Sequence, residues 1–370
     1  MTITSVAGRK YTIPLTQPFS YFTASLTHLP YLLVSIETSE GMRGYGEAAL
    51  AWDVNGETQE GALACLSLVR PLLANHALLS VDDVQKIMDA VNLSLYGNTG
   101  LKCGIESALF DCLGQSFKTP IHKLVGGSSL ASIILQKTFS FDELTSDISA
   151  TMKEAYSSGV RIFKFKVGRD AATEKTALLT ARALYSDSIL VLDANQAWNN
   201  PSDACIFLDS LTDARIAWVE QPVLAHDYEG LAFVRSHCNV KVMADESCHN
   251  STDLKTLHTL QAIDYANLKL AKCGGLLELK KMIAFCEGAH IGYVLGDMIH
   301  SSLGTAYNLH AATLGAFAAY DLTLPSRIQG DCATELAFNG WHVAIPQSAG
   351  LGVTLTAQPC PSLAQTSLDA

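Results

Sequence analysis

The sequence predicts an α/β fold, a (β/α)7β or (β/α)8 TIM-type barrel preceded by an α+β capping domain. Three observations lead there. From about residue 131, short apolar runs alternate with helical stretches, a pattern that requires parallel strands. Five charged residues, Lys166, Asp193, Glu220, Asp245 and Lys269, end or follow such runs at intervals of about 25 residues, the length of one strand-plus-helix unit. No G-x-G-x-x-G follows the first strand, which argues against a dinucleotide-binding open sheet.

Residues 1–125 lack the barrel rhythm and are expected to form the capping domain. Tyr31 to Glu37 reads as a strand, and Gly41 to Gly46 as a turn and the start of the next. Helical periodicity follows, with Leu63, Leu66, Val69 and Leu73 on one face and Ile105, Leu109 and Leu113 on another. Residues 126–325 are expected to form the catalytic barrel. Its strands are predicted over Ile133–Phe139, Ile162–Val167, Ser188–Asp193, Ala217–Glu220, Val240–Asp245, Tyr265–Lys269, Ile291–Gly296 and Phe317–Leu322. Helices are predicted between them, as over Ala171–Tyr185 and Gly275–Gly288. Residues 326–370 are expected to return to the capping domain through a strand at Trp341–Ile345, and the last dozen, small and polar, to fray.

Composition narrows the function. An apolar fraction of 48% suffices for a large core, and the formal charge of -11, with no Lys/Arg-rich run, argues against nucleic acid as a partner. No apolar stretch is long enough for a membrane span, and the opening residues lack a secretory apolar region. The 10 cysteines are scattered, without a CxxC pair or zinc spacing, and read as reduced core residues of a cytoplasmic protein.

The chemistry lies at the strand ends. Three carboxylates at one barrel mouth repel each other unless a cation sits between them, and a hard oxygen set suits Mg²⁺. That makes Asp193, Glu220 and Asp245 candidate ligands. Asn195 either supports that shell or caps a helix. In Phe163-Lys164-Phe165-Lys166, period two places both lysines on one face. If that face is the barrel interior, burial and the nearby cation are expected to lower the lysine pKa values toward general-base range; the plainer alternative is a solvated strand with its phenylalanines inside. Lys269 would face Lys166 across the mouth, with Lys272 a rival that reads as a loop residue. A metal between two opposed lysines suits removal of the proton α to a carboxylate through an enediolate, with one lysine taking the proton and the other returning one or merely stabilising charge.

These residues resemble the enolase superfamily, in its muconate lactonizing enzyme subgroup. The matching motifs are Lys164-Phe-Lys166, Leu192-Asp-Ala-Asn195, Val219-Glu-Gln-Pro222, Ala244-Asp-Glu-Ser247 and Asn267-Leu-Lys-Leu-Ala-Lys-Cys-Gly-Gly275, with Asn55-Gly-Glu-Thr58 in the first domain. The resemblance implies Mg²⁺ on Asp193, Glu220 and Asp245, Lys166 and Lys269 as the acid/base pair, and Lys164 as an electrostatic assistant. It also implies specificity loops near Phe19–Phe22 and Trp52–Thr58 of the capping domain, a small-molecule carboxylate substrate and association into homo-oligomers.

Within the subgroup the pattern is most similar to the dipeptide epimerases, which carry Asp-x-Asp after the eighth strand to hold a substrate ammonium. Here the segment reads Asp321-Leu-Thr323, and the usual Gly-x-Met-Leu-Glu/Asp after strand seven reads Gly296-Asp-Met-Ile-His300. Either Asp297 replaces the anion missing at Thr323, or the substrate differs and His300 contacts it; His300 as a supporting hydrogen-bond partner is the plainer reading. Thr138, Tyr21 and Trp52 complete the expected substrate contacts, with Asp53 and Phe22 as further candidates. Muconate cycloisomerisation, o-succinylbenzoate synthesis and N-acyl amino acid racemisation would use the same site, and a non-catalytic binding protein remains the reading from a different class.

Overall fold

The computed structural model describes residues 1–20, 25–334 and 336–356. Tyr21, Phe22 and the final dozen residues lie outside the described residues.

The chain opens with a three-stranded antiparallel sheet, β1 (Ile3–Ser20), β2 (Ser25–Thr38) and β3 (Arg43–Ala49). Helices α1 (Gln59–Leu73), α2 (Val81–Ser94) and α3 (Thr99–Ser116) follow. Thr58 and Ser80 cap the first two, their hydroxyls accepting from Gly61 N and Asp83 N, two backbone donors the helices cannot use themselves. Leu66, Val69 and Leu73 are buried, as the periodicity requires. Helix α3 is buried from Gly100 to Gly114. The sheet reaches it closely through glycines: a Cβ on Gly46 would lie 1.9 Å from the Gly104 carbonyl oxygen.

After α4 (Ile121–Leu124) and β4 (Ser132–Ile134) comes an eight-stranded parallel sheet. Its members are β5 (Lys137–Phe139), β6 (Ile162–Lys166), β7 (Ile189–Asp193), β8 (Ile216–Glu220), β9 (Lys241–Ala244), β10 (Tyr265–Leu268), β11 (Gly292–Gly296) and β12 (Tyr320–Asp321), paired in sequence order. The seam is bridged where Gln136 N donates to Tyr320 O at 3.0 Å, so the sheet curls into a nearly closed barrel. Helices α5 (Phe141–Leu144), α6 (Ser149–Ser157), α7 (Ala171–Leu184), α8 (Pro201–Asp209), α9 (Tyr228–His237), α10 (Ser251–Thr259), α11 (Leu270–Cys273), α12 (Leu276–Ala289) and α13 (Ser302–Ala311) alternate with the strands. Strands β13 (Phe338–Asn339) and β14 (His342–Ala344) close the described chain. Among the described residues no helix is long and apolar enough to cross a membrane.

Period two divides each barrel strand. Phe163 and Phe165 are fully buried and stack with Phe139 in the main core. Val191, Trp218, Met243, Val294 and Ala319 form a separate apolar layer, and Val191 and Trp218 share their strand face with Asp193 and Glu220. The interior thus has an apolar floor and a charged mouth.

Two expectations change. The run Ile133–Phe139 is not one strand: Gln136 joins the barrel seam, while β4 pairs antiparallel with β14. The strand predicted at Trp341–Ile345 therefore adds to β4 rather than to the sheet of the first domain. Contact with the first part of the chain comes on both sides of that strand: Thr16 Oγ1 donates to Ser326 O and Gln329 N to Pro14 O before it, and Leu351 N donates to Asp111 Oδ1 and Ile121 N to Gly350 O around its far side.

Candidate active site

Strand register builds the site. Lys166 pairs with Asp193 and Asp193 with Glu220, all at the C-terminal ends of their strands. Asp245 and Lys269 immediately follow β9 and β10, Asp297 follows β11, and Asp321 ends β12. Lys166 and Lys269 come from strands four apart in an eight-stranded barrel and so enter from opposite walls. The carboxylates of β7, β8 and β9 occupy the arc between them.

The polar groups interlock. Lys164 Nζ lies 2.9 Å from Asp193 Oδ2, 2.6 Å from Glu220 Oε2 and 2.7 Å from Asp321 Oδ2. Lys166 Nζ donates to Asp193 Oδ2 at 2.7 Å and to Asn195 Oδ1 at 2.6 Å. Lys269 Nζ donates to Asp245 Oδ2 at 2.7 Å. Asn267 Nδ2 donates to Glu220 Oε1 at 2.7 Å. Asn195, whose positive φ lets its own N–H reach Asp193 Oδ1, also donates to Glu246 Oε1. It is no helix cap; Asn200 has that role for α8.

Burial and charge pull these groups apart. Burial raises the Glu220 carboxyl to about 8, with Asp193 and Asp245 adding to the effect against Lys164. Burial alone would also raise Asp193, but Lys164 and Lys166 hold it at about 2. Lys164 does not follow the expected downward shift, and neither does Lys269. Burial works to lower Lys164 and Lys269, yet the carboxylates around each outweigh it and push both up. Here these two lysines themselves neutralise the carboxylates, so their ammonium forms are stabilised.

Among the described residues no three His, Cys, Asp or Glu side chains are gathered into a ready cation cage. The donor chemistry nevertheless fits Mg²⁺. Glu220 Oε2 and Glu246 Oε2 are buried without a hydrogen bond, since the Lys164 contact to Glu220 is poorly directed for one. A divalent cation among Asp193, Glu220 and Asp245 would satisfy the repelling carboxylates with the hard oxygen ligands it prefers.

A cavity of about 370 Å³ opens above this set, walled by the barrel mouth and by Phe19, Leu29, Leu50, Trp52 and Val54 of the first part of the chain. Thr138, Lys164, Lys166, Asp193, Asp245, Lys269, Asp297, Asp321 and Thr323 all line it. Trp52 is 61% exposed at its edge. Tyr21 lies outside the described residues. Asp297 faces the cavity and is tied to Thr323, accepting from its N–H at 2.8 Å and its hydroxyl at 3.0 Å. Burial raises its pKa, against the pull of His300. Thr138 Oγ1 donates to Asp321 Oδ1 at 3.2 Å. His300 is not in the cavity wall; its Nδ1 lies 2.7 Å from Glu47 Oε1.

Sequence reading missed three contributors. Glu47 receives His300, Ser301 and Tyr11 in one buried knot. Gln221 Oε1 accepts from both Asp245 N and Ser247 N, at 3.0 Å each. Lys272, read as a loop residue, lies on α11 with its ammonium wholly inside the protein. A second lysine three residues after Lys269 was the one available signal.

Comparison with known proteins agrees with this architecture. Residues 3–126 match the mandelate racemase / muconate lactonizing enzyme N-terminal domain, and residues 147–358 the enolase C-terminal domain-like family. A D-Ala-D/L-Ala epimerase from Cytophaga hutchinsonii is 31% identical over 95% of each chain. An N-succinyl-L-Arg/Lys racemase from Bacillus cereus is 28% identical over 96% of each. The crystal structure of a Cytophaga hutchinsonii dipeptide epimerase, complexed with Mg and the dipeptide D-Ala-L-Val, superposes with a TM-score of 0.90 at 28% identity, covering 100% of both chains. The chain belongs to the enolase superfamily, in its muconate lactonizing enzyme subgroup.

Proposed function

We propose that this protein is a Mg²⁺-dependent isomerase that moves a proton at the carbon next to a carboxylate, and that its substrate is a dipeptide. The observation that carries the proposal is the placement of Lys166 and Lys269 on opposite walls with three carboxylates on the arc between. One lysine removes the α-proton and the other delivers a proton to the opposite face, inverting the centre. Bound Mg²⁺ would hold the substrate carboxylate and stabilise the negative charge that grows there as the proton leaves. Lys164 adds positive charge beside the same carboxylates. The lysine that acts as base must first lose its proton; Lys166 now donates to Asp193 and Lys269 to Asp245, the carboxylates that would be shared with a bound cation.

Asp297 supports a substrate with a free amine. It faces the cavity as a carboxylate braced by Thr323, beside Asp321, and no lysine or arginine hydrogen bond to it is found among the described residues. An ammonium there would pair with an oriented anion. Racemisation of an N-acyl amino acid is a second reading, favoured by Arg327 at the cavity wall, where it could receive an acyl carboxylate.

Incubation with Mg²⁺ in D₂O separates the two. Deuterium entering the α-position of particular dipeptides, with both epimers appearing, is the expected result. Exchange confined to N-acyl amino acids moves the assignment to the second reading, and exchange in neither pool refutes both.

A further inference from the structure

Lys272 is 1% exposed, and its Nζ meets three oxygens: Asp245 O at 2.5 Å, Asp245 Oδ1 at 2.6 Å and Asn267 O at 3.0 Å. A lysine ammonium has three protons, so its capacity is spent. It cannot reach a substrate. Lys269, by contrast, lines the cavity and has Asp245 Oδ2 as its hydrogen-bond partner. The two lysines divide one carboxylate, the buried one taking Oδ1 and the accessible one Oδ2.

The seat of Lys272 is rigid. Gly274 and Gly275 follow it with φ of 93° and 137°, values that favour glycine. A Cβ on Gly275 would lie 2.2 Å from Glu106 Oε1, which accepts from Leu276 N at the start of α12. Asp245 is held from its other side as well, through its N–H to Gln221. Backbone and one carboxylate oxygen of Asp245 are therefore both fixed, and a single oxygen is left toward the mouth.

We infer that Lys272 is a positioning residue, which locks Oδ1 of Asp245 and leaves Oδ2 as the only oxygen this residue can offer to a cation. The inference rests on the Mg²⁺ reading above. Outer partners of this type typically set metal affinity over a 10- to 100-fold range, roughly. Lys272 also anchors the carbonyl of Asn267, whose side chain holds Glu220, so two of the three carboxylates depend on it.

The test is titration of the full-length protein with MgCl₂, followed by calorimetry and by the rise in melting temperature, for wild type, Lys272→Met and Lys272→Arg. Methionine keeps the stem and removes the ammonium. Arginine keeps the charge where methionine does not fold, but its planar fork cannot meet the same three oxygens. The expected result is Mg²⁺ affinity lowered about tenfold or more in either variant that keeps a cooperative melting transition. Wild-type affinity in both variants, or in Lys272→Arg alone where Lys272→Met does not fold, overturns the positioning role while leaving the Mg²⁺ reading intact. A wild-type protein that gives no heat and no shift with MgCl₂ overturns that reading and this inference with it.

Discussion

His300 Nδ1 lies 2.7 Å from Glu47 Oε1, joining the loop after β11 to β3 of the opening sheet. Burial works against charge on His300, but the Glu47 hydrogen bond and its charge, with Asp297 further off, hold the imidazole pKa above its usual value. Tyr11 and both the N–H and hydroxyl of Ser301 also donate to Glu47. Glu47→Ala leaves these buried donors unpaired and is expected to cost about 3–5 kcal/mol of stability. Urea denaturation checks it. A loss under about 1 kcal/mol, the size of an exposed pair, would contradict a buried knot.

Glu220 gives a prediction with two signs. Its carboxyl is raised to about 8 and one of its oxygens lacks a hydrogen bond. Glu220→Gln replaces a carboxyl whose charged form burial and its acidic neighbours penalise, and is expected to leave the metal-free protein as stable as wild type or more so. The same change should abolish the rise in melting temperature that Mg²⁺ produces by binding the folded state. Thermal scans with and without MgCl₂ read both effects together.

Two buried groups make opposite contributions to stability as pH changes. Burial, with His122 beside it, lowers His310 to about 3. Its contribution is complete above pH 6.5 and is lost as pH falls, at about 1.4 kcal/mol per unit. Burial raises Glu106 to about 7, so its contribution is complete below its usual 4.5 and is lost as pH rises to about 7. The cost of His310→Gln should therefore shrink as pH falls from 6.5 to 5, and that of Glu106→Gln should shrink as pH rises across the same interval. Denaturant titrations at the two pH values measure each slope.

Asp297→Asn tests how a substrate amine is held. Loss of a buried anion opposite an ammonium is expected to lower kcat/KM for dipeptides about 30- to 100-fold and to spare N-acyl amino acids. An equal loss with both substrate types would show that Asp297 acts on the fold of the loop instead.

Much of this was legible in the sequence because barrel geometry turns sequence interval into position. Strand-end residues about 25 apart must meet at one mouth, and the alternation in Phe163–Lys166 puts both lysines on one face, while the closed barrel decides that this face is the interior. What escaped notice depends on contacts between distant segments. Glu47 meets His300 only because β3 packs against α13 and the loop before it. Lys272 has no periodicity that separates it from a loop residue until α11 is seen turning its ammonium under Asp245. The split of Ile133–Phe139 has the same origin, since an apolar run does not reveal that half of it pairs with β14.

The central claim is that two lysines act from opposite faces. It is tested most directly by α-proton exchange in D₂O with Mg²⁺, using each epimer of an accepted dipeptide and the variants Lys166→Met and Lys269→Met. The account predicts that each variant loses exchange from one epimer while keeping it from the other, with the assignments reversed between the two. Equal loss from both epimers in either variant would contradict it.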